Sequence, residues 1–423
     1  MDYLIGLDIG TSSVKGVLLT ADGKTVSTVR SPFTYEKEDD RVHLLPNAYL
    51  DTCFSAIRTL AEKASDGNIL GICASSASGN LLLLDAEGEP LTNIIGWQDQ
   101  GGSSLDTLDD EGIYETVGWG FTGKSFPLAQ LCAIKKQQPE LLTRCGKVCM
   151  STEYLYYQLT GCWGISPSAG TPFYLIDQSQ GKYAKQILDQ LEIPEEKLPP
   201  ILPCGSVVGR VTEQGAKACG LSVGTPVYLG SFDHPSAARG VGVLEEGQML
   251  LSCGTSWVAF YPVATREKVI AAKMLADPFL SPDGPYAGMT SVPSVSENIQ
   301  NCIVSLLGET ADPFKTLSSL ASKSQPGANG LKIDPTDPPK ALEGYQKEDI
   351  ARAIMEGTIM LLKKQMDTLA KHGITAKTAV MAGGPSEDPV WVALIEEICG
   401  ISVKVVHGAY AGAVGAAMIA SGR

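Results

Sequence analysis

The stretch Leu4-Ile5-Gly6-Leu7-Asp8-Ile9-Gly10-Thr11-Ser12-Ser13-Val14-Lys15-Gly16-Val17-Leu18-Leu19 decides the fold. An apolar run ends in an aspartate, a glycine and three hydroxyl residues follow, and Lys15 opens a second apolar run. Val, Ile and Leu on both sides of a glycine turn predict two antiparallel strands. Asp22-Gly23 predicts a further hairpin into a strand over residues 24–29, because Gly accepts positive φ there. The turn at Gly10-Thr11-Ser12-Ser13 offers backbone N–H groups beside hydroxyls, which suits phosphate oxygens. Asp8, at the strand end, suits a hydrated Mg²⁺, a hard cation that prefers carboxylate and water. A plain hairpin capped by small polar residues explains this stretch equally well.

A second stretch breaks that tie. Met249-Leu250-Leu251-Ser252-Cys253-Gly254-Thr255-Ser256-Trp257-Val258-Ala259-Phe260-Tyr261 repeats the design of strand, Gly-Thr-Ser and strand. The two copies stand near the starts of the two halves of the chain. Such self-similarity predicts two related domains facing one another, each giving a turn to one phosphate chain. The expected division is 1–226 and 227–423.

A chain of 423 residues accommodates two domains, since single domains usually hold roughly 100–200 residues. The net charge of −14 comes with no basic cluster, so a nucleic-acid partner is not expected. Eleven Cys are scattered through apolar segments with no Cys-x-x-Cys pair, which argues against zinc. No signal peptide is read, so reduced thiols and a cytoplasmic location are expected. No apolar run approaches the roughly 20 residues that cross a bilayer, so no membrane partner is expected. Sequence gives no oligomer interface, and a homodimer stays open.

Along the chain, residues 31–41 read as a polar loop. Residues 46–64 read as an amphipathic helix, with Leu50, Phe54, Ile57 and Leu60 on one face. Residues 69–74 and 81–84 read as core strands. The small polar loop Ser75-Ser76-Ala77-Ser78-Gly79-Asn80 between them is placed to carry ligand contacts, Ser78 and Asn80 among them. Ile94-Ile95-Gly96-Trp97-Gln98-Asp99 ends a strand in Trp and Asp, which suits a polyhydroxylated ligand: the indole packs on C–H faces and the carboxylate takes hydroxyls. A core Trp at a strand end is the plainer reading of that segment alone.

Gly118-Trp119-Gly120-Phe121-Thr122-Gly123-Lys124-Ser125 satisfies the pattern G-x-x-x-x-G-K-S. A phosphate loop of that type follows a buried strand. The preceding residues 109–117 read instead as an acidic helix, so the motif is set aside as a phosphate loop. Helices are expected over 128–136, 139–145, 153–159, with Gly161 as its cap, and 183–191. A strand over 226–230 leads into Gly230-Ser231-Phe232-Asp233, and Asp233 opens a helix of small residues. An aspartate there can accept a hydroxyl proton while the helix N-terminus meets an anionic phosphate. A helix-capping Asp is the commoner role of such a residue, and its place just before the second Gly-Thr-Ser turn favours the catalytic one. Residues 349–372 read as a long amphipathic helix. A strand ends at Gly383-Gly384, where adenine or ribose can lie on backbone. Residues 265–280 and 307–342 give no clear pattern.

These segments in this order resemble the FGGY carbohydrate kinases: Asp8-Ile9-Gly10-Thr11-Ser12, Trp97-x-Asp99, Leu159-Thr160-Gly161, Gly230-x-x-Asp233, Gly254-Thr255-Ser256, Gly383-Gly384 with Trp391, and Gly415-Ala416-Ala417. The resemblance spans nearly the whole chain. It implies an α/β fold of two actin-like (ribonuclease H-like) domains, with mixed sheets flanked by helices around a central cleft, and phosphorylation of a sugar or polyol by ATP with Mg²⁺. It implies that Asp233 is the general base and that Asp8 and Asp233 lie at the metal. Thr11, Ser12, Ser13 and Lys15 fall in the first phosphate motif, Gly254, Thr255 and Ser256 in the second. Gly383, Gly384 and Ser386 match the adenosine motif, and Trp97 and Asp99 the sugar side. The family often carries Gln and His where this chain has residues 75–80, Arg where it has Gly101, and Asp-x-Ser where it has Ser166-Pro167-Ser168. These departures lie on the sugar side, so the acceptor stays open.

Two other readings compete. A non-catalytic, nucleotide-driven sugar sensor or switch of the same fold would tolerate the altered sugar motifs, but has little need of Asp8 and Asp233. An unrelated phosphate-loop enzyme would depend on Lys124.

Overall fold

The structure is a computed structural model that describes residues 1–65, 67–77, 79–105, 109–121, 123–279, 285–340 and 342–422. It divides into two units, residues 1–242 with 275–286 and 410–423, and residues 243–274 with 287–409.

In the first unit a sheet has the strand order Val207–Arg210, Pro226–Phe232, Asn68–Ser76, Asp2–Ile9, Ser13–Thr20, Thr25–Pro32. The opening hairpin forms as its sequence predicts, and Asp8 faces Lys15 across it. Asp2–Ile9, Asn68–Ser76 and Pro226–Phe232 run parallel, with Asp8 level with Ser75 and Phe232 level with Ser76. Their C-terminal ends therefore share one edge, where open parallel sheets bind ligands. Helix Pro46–Lys63 covers one face and buries Tyr49, Leu50, Cys53, Ile57 and Leu60 against Ile5, Leu7 and Leu18. Helix Ala411–Ala420 packs on the other face against Leu4, Val17 and Cys73. It comes close because Gly6 has no side chain: a Cβ there would lie 1.9 Å from the Ala413 carbonyl oxygen.

The second unit repeats the arrangement. Hairpin Gly247–Cys253 and Trp257–Val263 is antiparallel, and Ala376–Gly383 runs parallel beside its first strand with Cys253 level with Gly383. Tyr286–Val292, Trp257–Val263, Gly247–Cys253, Ala376–Gly383 and Ser402–Val405 lie side by side in that order. The long helix is Lys347–Ala370, and Pro389 opens helix Pro389–Cys399 with Asp388 as its cap.

Several segments differ from expectation. The first unit continues past residue 226 to Gly242, because strand Pro226–Phe232 is bonded to Asn68–Ser76 and carries helix Asp233–Gly240 with it. Residues 31–41 are not all loop: a strand runs to Pro32, and Glu36–Glu38 pairs with Arg41–Leu44. Glu36–Glu38 is exposed throughout, so no apolar alternation marks it. The strand before the 75–80 loop extends to Ser76. Residues 265–280 contain helix Arg266–Ala271 and strand Leu275–Asp277, and Asp312 caps helix Pro313–Ala321.

Candidate active site

Asp8 and Asp233 come from the C-terminal ends of two parallel strands of the first unit, Asp2–Ile9 and Pro226–Phe232, which flank strand Asn68–Ser76. Asp8 is the penultimate residue of its strand and is 9 % exposed. Asp233 is the first residue of a helix that follows a strand without a linking loop. Burial pushes the Asp8 carboxyl up to about 7, the charge of Asp233 adds to this, and Lys15 opposes it. The Lys15 Nζ lies 3.8 Å from Asp8 Oδ2. Burial also raises Asp233, against the pull of His234 and Lys15. The His234 N–H donates to Asp233 Oδ1 at 2.7 Å. A carboxylate with a raised pKa is a stronger base than a solvated one.

Helices Asp233–Gly240 and Ala411–Ala420 pack closely beside the two carboxylates, with glycines where they meet. A Cβ on Gly415 would lie 1.8 Å from the Ser236 carbonyl oxygen, and one on Gly240 would lie 2.1 Å from that of Ala411. The Ser236 hydroxyl donates to the Gly412 carbonyl at 2.8 Å. The spacing of Gly412, Gly415 and Ala416 in the sequence signals this close approach, but not that its neighbours are Asp8 and the Asp233 helix.

The first Gly-Thr-Ser turn is closed by the Gly10 N–H on the Ser13 carbonyl at 3.0 Å. Ser12 is exposed, and Ser13 is buried within the next strand. The Thr11 hydroxyl accepts from Trp97 Nε1 at 2.9 Å. The Trp97 ring stacks on Phe126, with centroids 6.0 Å apart. From there the aromatic contacts run through Trp119 and Phe232 to His234, beside the base.

Asp99 and Asn80 are engaged by the protein itself. Asp99 Oδ2 accepts from Arg41 Nε at 2.8 Å and from the Val42 N–H at 2.9 Å, and Oδ1 accepts from the Gly101 N–H and Gln130 Nε2. Burial pushes Asp99 up, but Arg41 and the two backbone N–H groups outweigh it and hold the carboxyl below the usual carboxylate range. The Asn80 side chain exchanges two hydrogen bonds with Ser151 and so fixes the start of helix Ser151–Thr160. Ser78 lies outside the described residues.

The G-x-x-x-x-G-K-S segment builds part of the aromatic wall. Helix Asp110–Val117 precedes it and ends on Gly118 in the left-handed region, so no strand feeds the motif. Trp119 and Phe121 are buried and Lys124 is exposed. Phe126 opens the next helix at φ 71°, a conformation rare for a bulky residue. Gly79 packs on its ring, where a Cβ would lie 2.8 Å away. Phe126, Trp119, Phe232 and Asp277 were not singled out in the sequence. Asp277 is fully buried, which pushes it up to about 7.

In the second unit a cavity of about 660 Å³ is lined by Gly254, Ile299, Phe314, Lys315, Gly384 and Trp391, among others. That volume suits a small flat ligand. Gly254 and Thr255 are exposed on the hairpin turn. Ser256 Oγ accepts from the Ser294 N–H at 3.2 Å, and the Ser296 hydroxyl donates to the Gly254 carbonyl at 3.0 Å. Gly383 adopts φ 102°, and a Cβ there would lie 2.1 Å from the Cys253 carbonyl oxygen, so only glycine fits. The Ser386 hydroxyl donates back to the Gly383 carbonyl at 2.7 Å and holds Gly384 at the cavity.

Among the described residues no group of three or more His, Cys, Asp or Glu is set to hold a metal. A pair of carboxylates with raised pKa and one opposing lysine does fit Mg²⁺, which usually takes one or two carboxylates and completes its shell with phosphate and water. No described helix is long and apolar enough to cross a membrane.

Residues 3–240 match the N-terminal domain of the FGGY family of carbohydrate kinases, and residues 319–422 match its C-terminal domain. The chain belongs to this family. This FGGY kinase is 26 % identical over 440 residues to a xylulose kinase of Staphylococcus epidermidis, covering 99 % of this chain and 88 % of that one. It is 24 % identical over 471 residues to an autoinducer-2 kinase of Salmonella paratyphi A, covering 99 % and 85 %. Its fold is similar to that of the xylulose kinase from Rhodospirillum rubrum, with TM-score 0.89, 24 % identity and coverage of 99 % and 89 %. It is also similar to that of Plasmodium falciparum glycerol kinase with ADP, with TM-score 0.87, 16 % identity and coverage of 99 % and 89 %. The FGGY kinase is thus a carbohydrate kinase, as the ordered motifs imply.

Proposed function

We propose that this FGGY kinase transfers the γ-phosphoryl group of ATP to a hydroxyl of a sugar or polyol, with Asp233 as the general base. The observation that carries this is the placing of Asp233 and Asp8 at the same edge of the first sheet, on the two parallel strands that flank Asn68–Ser76, with both carboxyls raised by burial and the charge of Asp233 felt at Asp8. Asp233 takes the proton of the acceptor hydroxyl as its oxygen bonds to the γ-phosphorus, and the bond from that phosphorus to the ADP oxygen breaks. Lys15 and the N–H groups of the Gly10–Ser13 and Gly254–Ser256 turns offset phosphate charge, which is most of what phosphoryl transfer requires. Asp8 and Asp233 would hold Mg²⁺, which neutralises charge on the phosphate oxygens when bound. Adenosine fits the cavity at Gly384 and Phe314.

The acceptor packs on the aromatic wall of Trp97 and Phe126. Thr11, Ser12 and Lys15 serve the phosphates, while Asp99, Asn80 and Ser13 act by shaping the walls around them. Xylulose kinases stand among the relatives, so a ketopentose is the first acceptor to try.

The test is ADP release from Mg-ATP across ketoses, aldoses and polyols. One acceptor should give turnover that Asp233→Ala loses while ATP binding by calorimetry is retained. Turnover surviving in Asp233→Ala removes the base assignment. A flat panel in which a sugar shifts ATP affinity points to a nucleotide-driven sensor instead.

A further inference from the structure

We propose that Asp277 and Ser168 are positioning residues for Asp233, holding the strand end from which the base projects. This rests on the kinase reading above. Asp277 and Ser168 are 0 % and 1 % exposed. The Ser168 Oγ lies 2.9 and 3.1 Å from the two Asp277 carboxylate oxygens, and it accepts the Phe232 N–H at 3.1 Å. A serine hydroxyl has one proton. Committed to Asp277, that proton leaves the lone pairs of Ser168 turned to Phe232, the residue immediately before the base. Asp277 thus sets the rotor that fixes Phe232.

The anchor is itself held by independent contacts. The Ala276 N–H donates to the Gly118 carbonyl at 2.8 Å, and the Ala276 carbonyl accepts from Trp119 Nε1 at 3.0 Å and Gln178 Nε2 at 2.9 Å. On the other side of Ser168, the Ser166 hydroxyl donates to the Gly230 carbonyl at 2.6 Å and accepts the Ala169 N–H at 3.1 Å. Residues 166–169 therefore clamp the strand at Gly230 and at Phe232, and the second clamp works only while Asp277 holds the hydroxyl. Helix Asp233–Gly240 starts at the next residue, so a turn of the Phe232 peptide re-aims the Asp233 side chain. A misplacement of about 1 Å at a reacting group can cost about 100-fold in rate.

The experiment compares Asp277→Leu, Asp277→Asn, Ser168→Ala and the Ser168→Ala/Asp277→Leu double variant, read by steady-state kinetics and by amide exchange at Phe232. Asp277→Leu and Ser168→Ala should each lower kcat about 10- to 100-fold with KM for ATP unchanged. The double variant should be no worse than either single one, because the two act in series. Asn keeps an acceptor for the hydroxyl, so Asp277→Asn should restore most of kcat. Exchange at Phe232 should quicken in the Leu and Ala variants and not in the Asn variant. Full kcat in Asp277→Leu, or unchanged exchange at Phe232, overturns the proposal. If Asp277→Leu does not fold, Ser168→Ala gives the same two readouts. If the wild type phosphorylates no acceptor, the kinase reading fails, and exchange at Phe232 still decides whether Asp277 governs the strand end.

Discussion

Gly412 touches Asp8 so closely that a Cβ at 412 would sit 2.8 Å from the Asp8 carboxyl carbon and 2.9 Å from Oδ2. The helix Ala411–Ala420 therefore sets how far that carboxylate can turn. Gly412→Ala should cut kcat at least tenfold by displacing Asp8. Overpacking of this size destabilises by about 1–3 kcal/mol, so thermal melting should move as well. Wild-type kcat in a folded Gly412→Ala protein would show that Asp8 has slack to spare.

The nucleotide cavity makes a separable prediction. Phe314 lines it and is 41 % exposed, so it can be trimmed at little cost to the core. Phe314→Ala should raise KM for ATP about 3- to 10-fold, from a ring contact worth about 0.5–1.5 kcal/mol, with kcat and the acceptor KM nearly unchanged. Lys124→Ala should leave ATP affinity as it is, since no strand feeds the G-x-x-x-x-G-K-S segment. Loss of ATP binding in that variant would revive the phosphate-loop reading.

On the acceptor side, Trp97 contributes a ring and an N–H in different directions. Trp97→Phe keeps the stack on Phe126 and loses the bond to Thr11, and Trp97→Ala loses both. The acceptor KM should rise modestly for Phe and by about tenfold more for Ala, in keeping with an aromatic contact of about 1.5 kcal/mol. Equal effects would mean that the hydrogen bond to Thr11, not the face of the ring, governs the acceptor.

Glu153 gives a pH dependence without touching the site. Burial raises it from about 4.5 to about 7, and Oε1 has no hydrogen-bond partner among the described residues. Between those values the folded protein keeps a proton that the unfolded chain releases. Its contribution to stability is therefore full below about pH 4.5 and is lost as pH rises through about 7. The melting temperature of Glu153→Gln relative to wild type should rise from pH 5 to pH 8. A difference that stays flat over that range would mean Glu153 is already ionised at pH 5.

The repeat of strand, Gly-Thr-Ser and strand was legible because hairpins are local: the apolar runs, the turn and Lys15 lie within one window. Asp233 was legible for the same reason, as a strand end running directly into a helix. The aromatic wall was not, because Trp97, Phe126, Trp119 and Phe232 meet only through tertiary packing. Asp99 looked like a ligand for hydroxyls, and nothing local to it reveals that Arg41 and Gln130 reach its oxygens. Asp277 was hidden in a segment with no periodicity, and its partner Ser168 lies 109 positions away. Sequence spacing cannot record a contact at that distance.

Helix Ala411–Ala420 has a consequence for how the protein comes into being. It completes the face of the first sheet on Gly6 and lays Gly412 against Asp8, yet the ribosome reaches it only after residues 243–409 have been made. Until helix Ala411–Ala420 has been made, the apolar face formed by Leu4, Val17 and Cys73 lacks its cover. Contacts between such distant parts of a chain form slowly. A chain ending before residue 411 would lack the helix that packs on Gly6 and lies against Asp8.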